Sequence, residues 1–139
     1  MTGTEMKQRL AVILAADVAG YSRLMAADER GTVAALDAAR AVFRRIVESN
    51  QGRIIDMAGD SVLAIFETAA GALGAAVAVQ KGLASAARSA PEERRMRFRI
   101  GVHLGDVIEK SDGTIYGYDS ANWSVEAKIW SACSSSNKW

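Results

Sequence analysis

The sequence is poor in the residues that build special-purpose scaffolds. It has one cysteine (Cys133), one proline (Pro91) and one histidine (His103) in 139 residues. A single cysteine excludes an internal disulfide and a cysteine-rich metal centre, and it suits a reducing compartment. Neither sign of charge is in excess: 17 Lys and Arg face 16 Asp and Glu, a formal +1. Such a chain has no long-range field for an anionic membrane. Without a basic block or an aromatic-basic stripe, nucleic acid is not an expected partner. Long apolar runs are also missing. The run over residues 10–16 is ended by Asp17 and is too short for a signal peptide. The most apolar helix candidate, residues 69–79, is about half of what would span a bilayer and closes at Gln80-Lys81. The expectation is a soluble cytoplasmic chain with no membrane segment.

Half of the residues are hydrophobic, enough for one domain with one core. RLAVILAA (9–16) is a continuous apolar run that suits a strand buried on both faces. Residues 22–27 can make a short helical turn. A loop over residues 28–32 leads to a helix over 33–48, where Val33, Leu36, Ala39, Val42, Phe43, Ile46 and Val47 keep helical spacing. Thr32 is the expected N-cap, and Gly52 suits the left-handed position at the helix end. RIIDM and SVLAIF flank Ala58-Gly59-Asp60 and read as a hairpin. An Ala- and Gly-rich helix follows over about 68–87. Residues 96–104 then alternate, with Met96, Phe98, Ile100, Val102 and Leu104 on one face. Gly105-Asp106 is expected to end or bulge this strand, and Val107-Ile108-Glu109 to resume it. The order strand, helix, hairpin, helix, long strand implies an α+β sandwich, an antiparallel sheet with helices on one face.

Two aspartates stand where such a sheet would present them. Asp17 follows the buried strand and Asp60 sits in the hairpin turn. Neighbouring carboxylates repel unless a cation is shared, and hard divalent cations are held by one or two carboxylates plus substrate phosphates. The plainer reading is a strand-end cap and a turn-former; both readings stand at this level. Val18-Ala19-Gly20-Tyr21-Ser22 follows Asp17 directly. A strand end, a glycine turn and a helix start bring backbone N–H groups to a place where a phosphate can sit, or form an ordinary loop.

Three blocks in order, AVILAADVAGYSRLMAADERGT, GRIIDMAGDSVLAIF and FRIGVHLGDVIEKSDGTIYG, make residues 9–117 resemble the bacterial class III adenylate/guanylate cyclase catalytic domains. The resemblance implies a ferredoxin-like sandwich and cyclisation of ATP or GTP to the 3′,5′-cyclic nucleotide and pyrophosphate. It implies two Mg²⁺ or Mn²⁺ ions per site, held by Asp17, Asp60 and the Val18 carbonyl, with Ala19, Gly20, Tyr21 and Ser22 cradling the triphosphate beside Gly59. It also implies a head-to-tail homodimer that assembles its sites between chains. Residues 1–117 would be the N-terminal portion of this domain, and 118–139 an atypical tail of the same domain.

The sequence departs from the family in three places. Asp56 stands where the family has a purine-selecting lysine, and reads equally as an exposed strand residue. Thr114 stands where the family has an adenine-reading aspartate, which leaves ATP and GTP both open as substrates. Beyond Gly117 the family continues with an asparagine and an arginine one helical turn apart. Here Asn122 matches the asparagine after a one-residue shift, and Glu126 takes the arginine position. The later triphosphate lysine is missing. A non-catalytic cyclase-homology module that dimerises or senses nucleotide is therefore the alternative function. A diguanylate cyclase lacks support because its Gly-Gly-Asp/Glu-Glu-Phe signature is absent. His103 reads as a surface or sheet-packing residue, Cys133 as a free thiol, and Arg94-Arg95-Met96-Arg97 as solvated charge at the strand entry. Trp123, Trp130 and Trp139 read as cover for sheet surface or as assembly contacts.

Overall fold

A computed structural model describes residues 6–113 and 115–116. The chain runs β1 (Met6–Val18), α1 (Tyr21–Ala27), α2 (Glu29–Ser49), β2 (Gly52–Asp56), β3 (Val62–Phe66), α3 (Ala69–Ala86), a 3₁₀ turn (Glu92–Arg94), β4 (Phe98–Lys110) and β5 (Ile115–Tyr116). The strands form one sheet in the order β2-β3-β1-β4-β5, and every pairing is antiparallel. Helices on one face of a β2-β3-β1-β4 sheet make the ferredoxin-like α+β sandwich that the sequence implied.

β1 is the central strand because its apolar run can be buried on both sides. Val12, Leu14, Ala16 and Val18 face the helices, and Ala11, Ile13 and Ala15 face the opposite side, all buried. The helix side holds the main core. Leu36, Ala39, Phe43, Ile46 and Val47 of α2 meet Ala72, Ala75, Ala76, Val79 and Leu83 of α3 over the sheet. Phe43 and Phe98 meet edge-on, with ring centroids 5.0 Å apart, a geometry aromatic pairs favour. The small side chains of α3 let that helix lie close to the strands. The other face carries a smaller cluster of Ala11, Ile13, Ala15, Leu63, Ile65 and Val107.

Three local expectations are corrected. Thr32 does not cap α2: Asp28 does, its Oδ1 accepting from Gly31 N at 3.1 Å. A carboxylate is the stronger acceptor for the exposed amides of a first turn. A Cβ on Gly31 would lie 2.3 Å from Asp28 Oδ2, so glycine there makes room for the cap. Thr32 is instead buried inside the helix, its hydroxyl donating to Leu24 O at 2.9 Å and tying α1 to α2. The left-handed residue after α2 is Gln51, at φ 60°. Gly52 answers a different need, since a Cβ there would meet the Phe66 ring at 2.4 Å. Finally, Gly105-Asp106 neither ends nor bulges β4, which pairs with β1 without interruption from Met6↔Lys110 to Val18↔Phe98. Gly105 is accommodated because the His103 ring occupies the space beside it, 3.2 Å from where a Cβ would stand.

Candidate active site

The rim of the sheet at the end of β1 gathers the charged residues. Strand alternation puts Asp17 on the face away from the helices, directly opposite Arg99 of β4. The two form a planar fork: Arg99 Nε donates to Asp17 Oδ1 and Nη2 to Oδ2, both at 2.8 Å. Bidentate arginine–carboxylate pairs are among the stronger charge-assisted hydrogen bonds. Asp17 keeps 25% of its side-chain surface and Arg99 42%, so the pair remains open to solvent.

Asp60 reaches the same place from the β2–β3 hairpin. The turn is tight, with Ser61 N and Oγ both donating to Ala58 O at 3.0 and 2.7 Å. Gly59 takes the left-handed φ of 57° that the turn requires, and Arg40 of α2 donates to the Gly59 carbonyl. Held this way, Asp60 Oδ2 accepts from Val18 N at 3.1 Å. The two aspartates therefore share one corner, the second bonded to the backbone just after the first. Arg99 registers both: its hydrogen bond to Asp17 is the main cause of its raised pKa, and the Asp60 charge adds to it.

Next to this corner, Gly20 is left-handed at φ 66° and starts α1, which has no side-chain cap. Ala19 N donates to Arg97 O at 2.8 Å. Val18 is buried, Tyr21 half-buried against the main core, and Ser22 exposed. Asp56 is the exposed last residue of β2, and Gly59 is exposed in its turn. Thr114, Asn122, Glu126, Cys133 and the three tryptophans lie outside the described residues.

Two residues of the corner are not legible in the sequence. Arg99 pairs with Asp17, but its role depends on the β1–β4 register, and alternation shows only that it lies on the polar face. Arg40 sits on α2 with no pattern to mark it; its contact with the hairpin turn arises from helix placement alone. His103 lies on the same face of β4, opposite Ile13 and partly buried.

The donors here are carboxylate and carbonyl oxygens, the ligands that Mg²⁺ and Mn²⁺ take. Arg40 is already paired with Asp37 on its own helix, at 3.6 Å, so Asp17 and Asp60 against Arg99 leave the corner short of one positive charge, and the residues fit a divalent cation. Among the described residues no group of three or more His, Cys, Asp or Glu is gathered. A cation held here would therefore draw its remaining ligands from the main chain and from a bound phosphate.

An antiparallel sandwich with helices on one face and acidic residues at one rim defines an α+β class that many activities share. The comparisons narrow it. Residues 4–131 match the family described as the adenylate and guanylate cyclase catalytic domain. The chain is 44% identical over 130 residues to "Putative adenylate cyclase 3" of Rhizobium meliloti (strain 1021), covering 93% of this chain and 22% of that protein. It thus spans about a fifth of the curated relative it matches. Among solved structures, an adenylate/guanylate cyclase/hydrolase from Silicibacter pomeroyi is similar at 34% identity and a TM-score of 0.75, over 92% of this chain and 73% of that one. A bacterial light-regulated adenylyl cyclase shares the fold at 19% identity and a TM-score of 0.76, over 92% and 41%. The chain belongs to the adenylate and guanylate cyclase catalytic domain family. Among the described residues, no helix is long and apolar enough to cross a membrane.

Proposed function

We propose that this chain forms the metal-holding part of a nucleotide cyclase that converts ATP or GTP to the 3′,5′-cyclic nucleotide and pyrophosphate, in the cytoplasm, for signal transduction. One observation carries the reading: the 3.1 Å hydrogen bond from Val18 N to Asp60 Oδ2, which unites two sequence-distant aspartates at the rim where Arg99 already holds Asp17.

In this reading Asp17, Asp60 and the Val18 carbonyl hold two Mg²⁺ or Mn²⁺ ions. When bound, such ions lower the pKa of the ribose 3′-hydroxyl and offset the charge on the phosphates. The chain's own residues do the positioning. Ala19, Gly20, Tyr21 and Ser22 turn their backbone around the triphosphate, and Gly59 keeps the approach to Asp60 free of a side chain. Arg99 neutralises Asp17 until a cation arrives, and its guanidinium then stands beside the phosphates. Asn122 orients the ribose, while Asp56 and Thr114 border the base. The ribose 3′-hydroxyl releases its proton to water as its oxygen bonds to the α-phosphorus, the bond from that phosphorus to the β-phosphate oxygen breaks, and pyrophosphate leaves. A homodimer completes each site with the second copy.

The test is formation of cyclic AMP and cyclic GMP by purified protein with Mn²⁺ and ATP or GTP. Turnover that falls at least about a hundredfold in both Asp17→Ala and Asp60→Ala, on the scale of losing a group that stabilises a transition state, is the expected result. Turnover that survives both substitutions would sink the reading.

A further inference from the structure

The two aspartates of the corner are engaged in different ways. Arg99 takes both oxygens of Asp17, Nε on Oδ1 and Nη2 on Oδ2, each at 2.8 Å. Asp60 Oδ2 accepts from the neutral Val18 amide at 3.1 Å, and among the described residues no arginine bonds this carboxylate. A cation approaching Asp60 meets no competing charge on that side chain. One approaching Asp17 meets a guanidinium across both oxygens. An arginine keeps its proton in a folded protein, so it can give up a carboxylate only by moving away.

Arg99 is placed to move. Its side chain is 42% exposed, so the guanidinium has a path into solvent while the strand beneath it stays in the β1–β4 ladder. Among the described residues, both of its hydrogen bonds go to Asp17. Arg40 is held differently, since it reaches both Asp37 and the Gly59 carbonyl. Releasing Arg99 therefore costs chiefly one charge-assisted pair.

On the metal-holding reading above, we propose that Arg99 is a gate on the aspartate corner: it holds the Asp17 carboxylate as an internal counterion and must let it go for a divalent cation to take it. The gate has two effects. It stops two neighbouring carboxylates from repelling each other before a cation is bound. It also subtracts the free energy of the fork from the cation affinity, because only the released state of Asp17 is competent to bind. The corner then fills at a higher cation concentration than its two carboxylates alone would set.

Mn²⁺ titration of the full chain, followed by electron paramagnetic resonance with no nucleotide present, tests the gate apart from turnover. R99Q should bind Mn²⁺ about fivefold more tightly than the wild type, the scale of one partly exposed charge-assisted pair. R99K keeps the positive charge but cannot form the fork, and its affinity should fall between the two. Arg45 is exposed on α2; R45Q removes the same charge and should bind as the wild type does. Unchanged affinity in R99Q would overturn the gate. So would an R99K affinity equal to that of the wild type, because charge alone would then account for R99Q. R99K also serves if R99Q does not fold. In arginine side-chain NMR spectra the Arg99 Nε–H signal, identified by its loss in R99K, should shift as Mg²⁺ is added, with the midpoint of binding. A signal unmoved at saturating Mg²⁺ would overturn the proposal as well. Binding by R99Q where the wild type shows none supports the gate; no binding by any variant sinks both the gate and the metal-holding reading. Tighter Mn²⁺ binding by R99K without cyclic nucleotide formation leaves the gate standing while the cyclase reading fails. Turnover with Mn²⁺ affinity unchanged in both variants leaves the cyclase reading standing while the gate fails.

Discussion

The β1–β4 ladder carries an arginine–carboxylate cluster at each end, on the same face of the same two strands, and the two clusters differ in one respect. At the Met6 end, Arg9 bonds Glu109 at 3.0 Å and Glu67 at 3.5 Å, and Arg53 reaches Glu109 at 3.1 Å. Two arginines meet two glutamates, and the charges cancel. At the Val18 end, Arg99 bonds Asp17, Asp60 bonds only the Val18 amide though its charge is felt at Arg99, and one negative charge is left over. The first cluster has its ions balanced among its own members and is explained by structure. The second is locally satisfied in hydrogen bonds but not in charge, which is the condition that invites a cation. The geometry of a single pair would not have separated them, because both are good arginine–carboxylate contacts; the sum of charge over each cluster does.

The sharpest way to break this contrast is to measure cation binding at both ends. Mn²⁺ titration followed by electron paramagnetic resonance should show Asp60→Asn weakening Mn²⁺ by about tenfold or more, on the scale of a lost bond to a charged group. Glu109→Gln should leave Mn²⁺ affinity unchanged. Equal effects would erase the distinction between balanced and unbalanced clusters.

Double-mutant cycles by urea unfolding sharpen it further. The Asp17–Arg99 pair is bidentate and partly shielded, and its coupling should come to about 1 kcal/mol. The Arg9–Glu109 pair is single-bonded and shared with Arg53, and should couple more weakly. Raising the salt should shrink both couplings, since each pair touches solvent. A smaller effect is expected for Arg40→Gln, which removes the donor to the Gly59 carbonyl. It should cost about 1 kcal/mol of stability and loosen Mn²⁺ binding a few-fold, because Asp60 depends on that turn.

The smallest effect is a pH dependence of the balanced cluster. The hydrogen bond from Arg9, followed by the charges of Arg9 and Arg53, holds the Glu109 carboxyl below its ordinary 4.5. A carboxyl depressed in the folded state adds stability above its unfolded pKa and loses it as the pH falls through the folded value. The stability difference between wild type and Glu109→Gln should be constant from pH 7 down to about 5, then shrink below 4.5, as read from thermal melts. A difference that grew on acidification would reverse the sign assigned here.

Much of the fold is written in local pattern. The run over residues 9–16, the helical spacing from Val33 to Val47, the hairpin around Gly59 and the alternation from Phe98 to Val102 each appear as the element expected. The errors share one cause. Thr32, Gly52 and Gly105 were read by their residue-type preferences, and in each case a neighbouring side chain decided otherwise, local for Thr32 and Gly105 and from another strand for Gly52. Asp28 supplies a better cap, Phe66 needs the space at Gly52, and the His103 ring fills the gap beside Gly105. The alternation of β4 also stops predicting burial past Val102. Leu104 follows the apolar pattern yet is 58% exposed, and Met6 and Leu10 on the paired end of β1 are exposed with it.

By itself the sequence determined the element order, the central strand buried on both faces, the two aspartates as the residues to watch, and the family resemblance. These depend on spacing along one chain, and spacing is local. Only the tertiary structure decided that Asp17 faces Arg99, that Asp60 bonds the Val18 amide, and that Arg40 supports the hairpin turn. Those facts depend on strand register and helix placement, which are set by packing among residues distant in sequence.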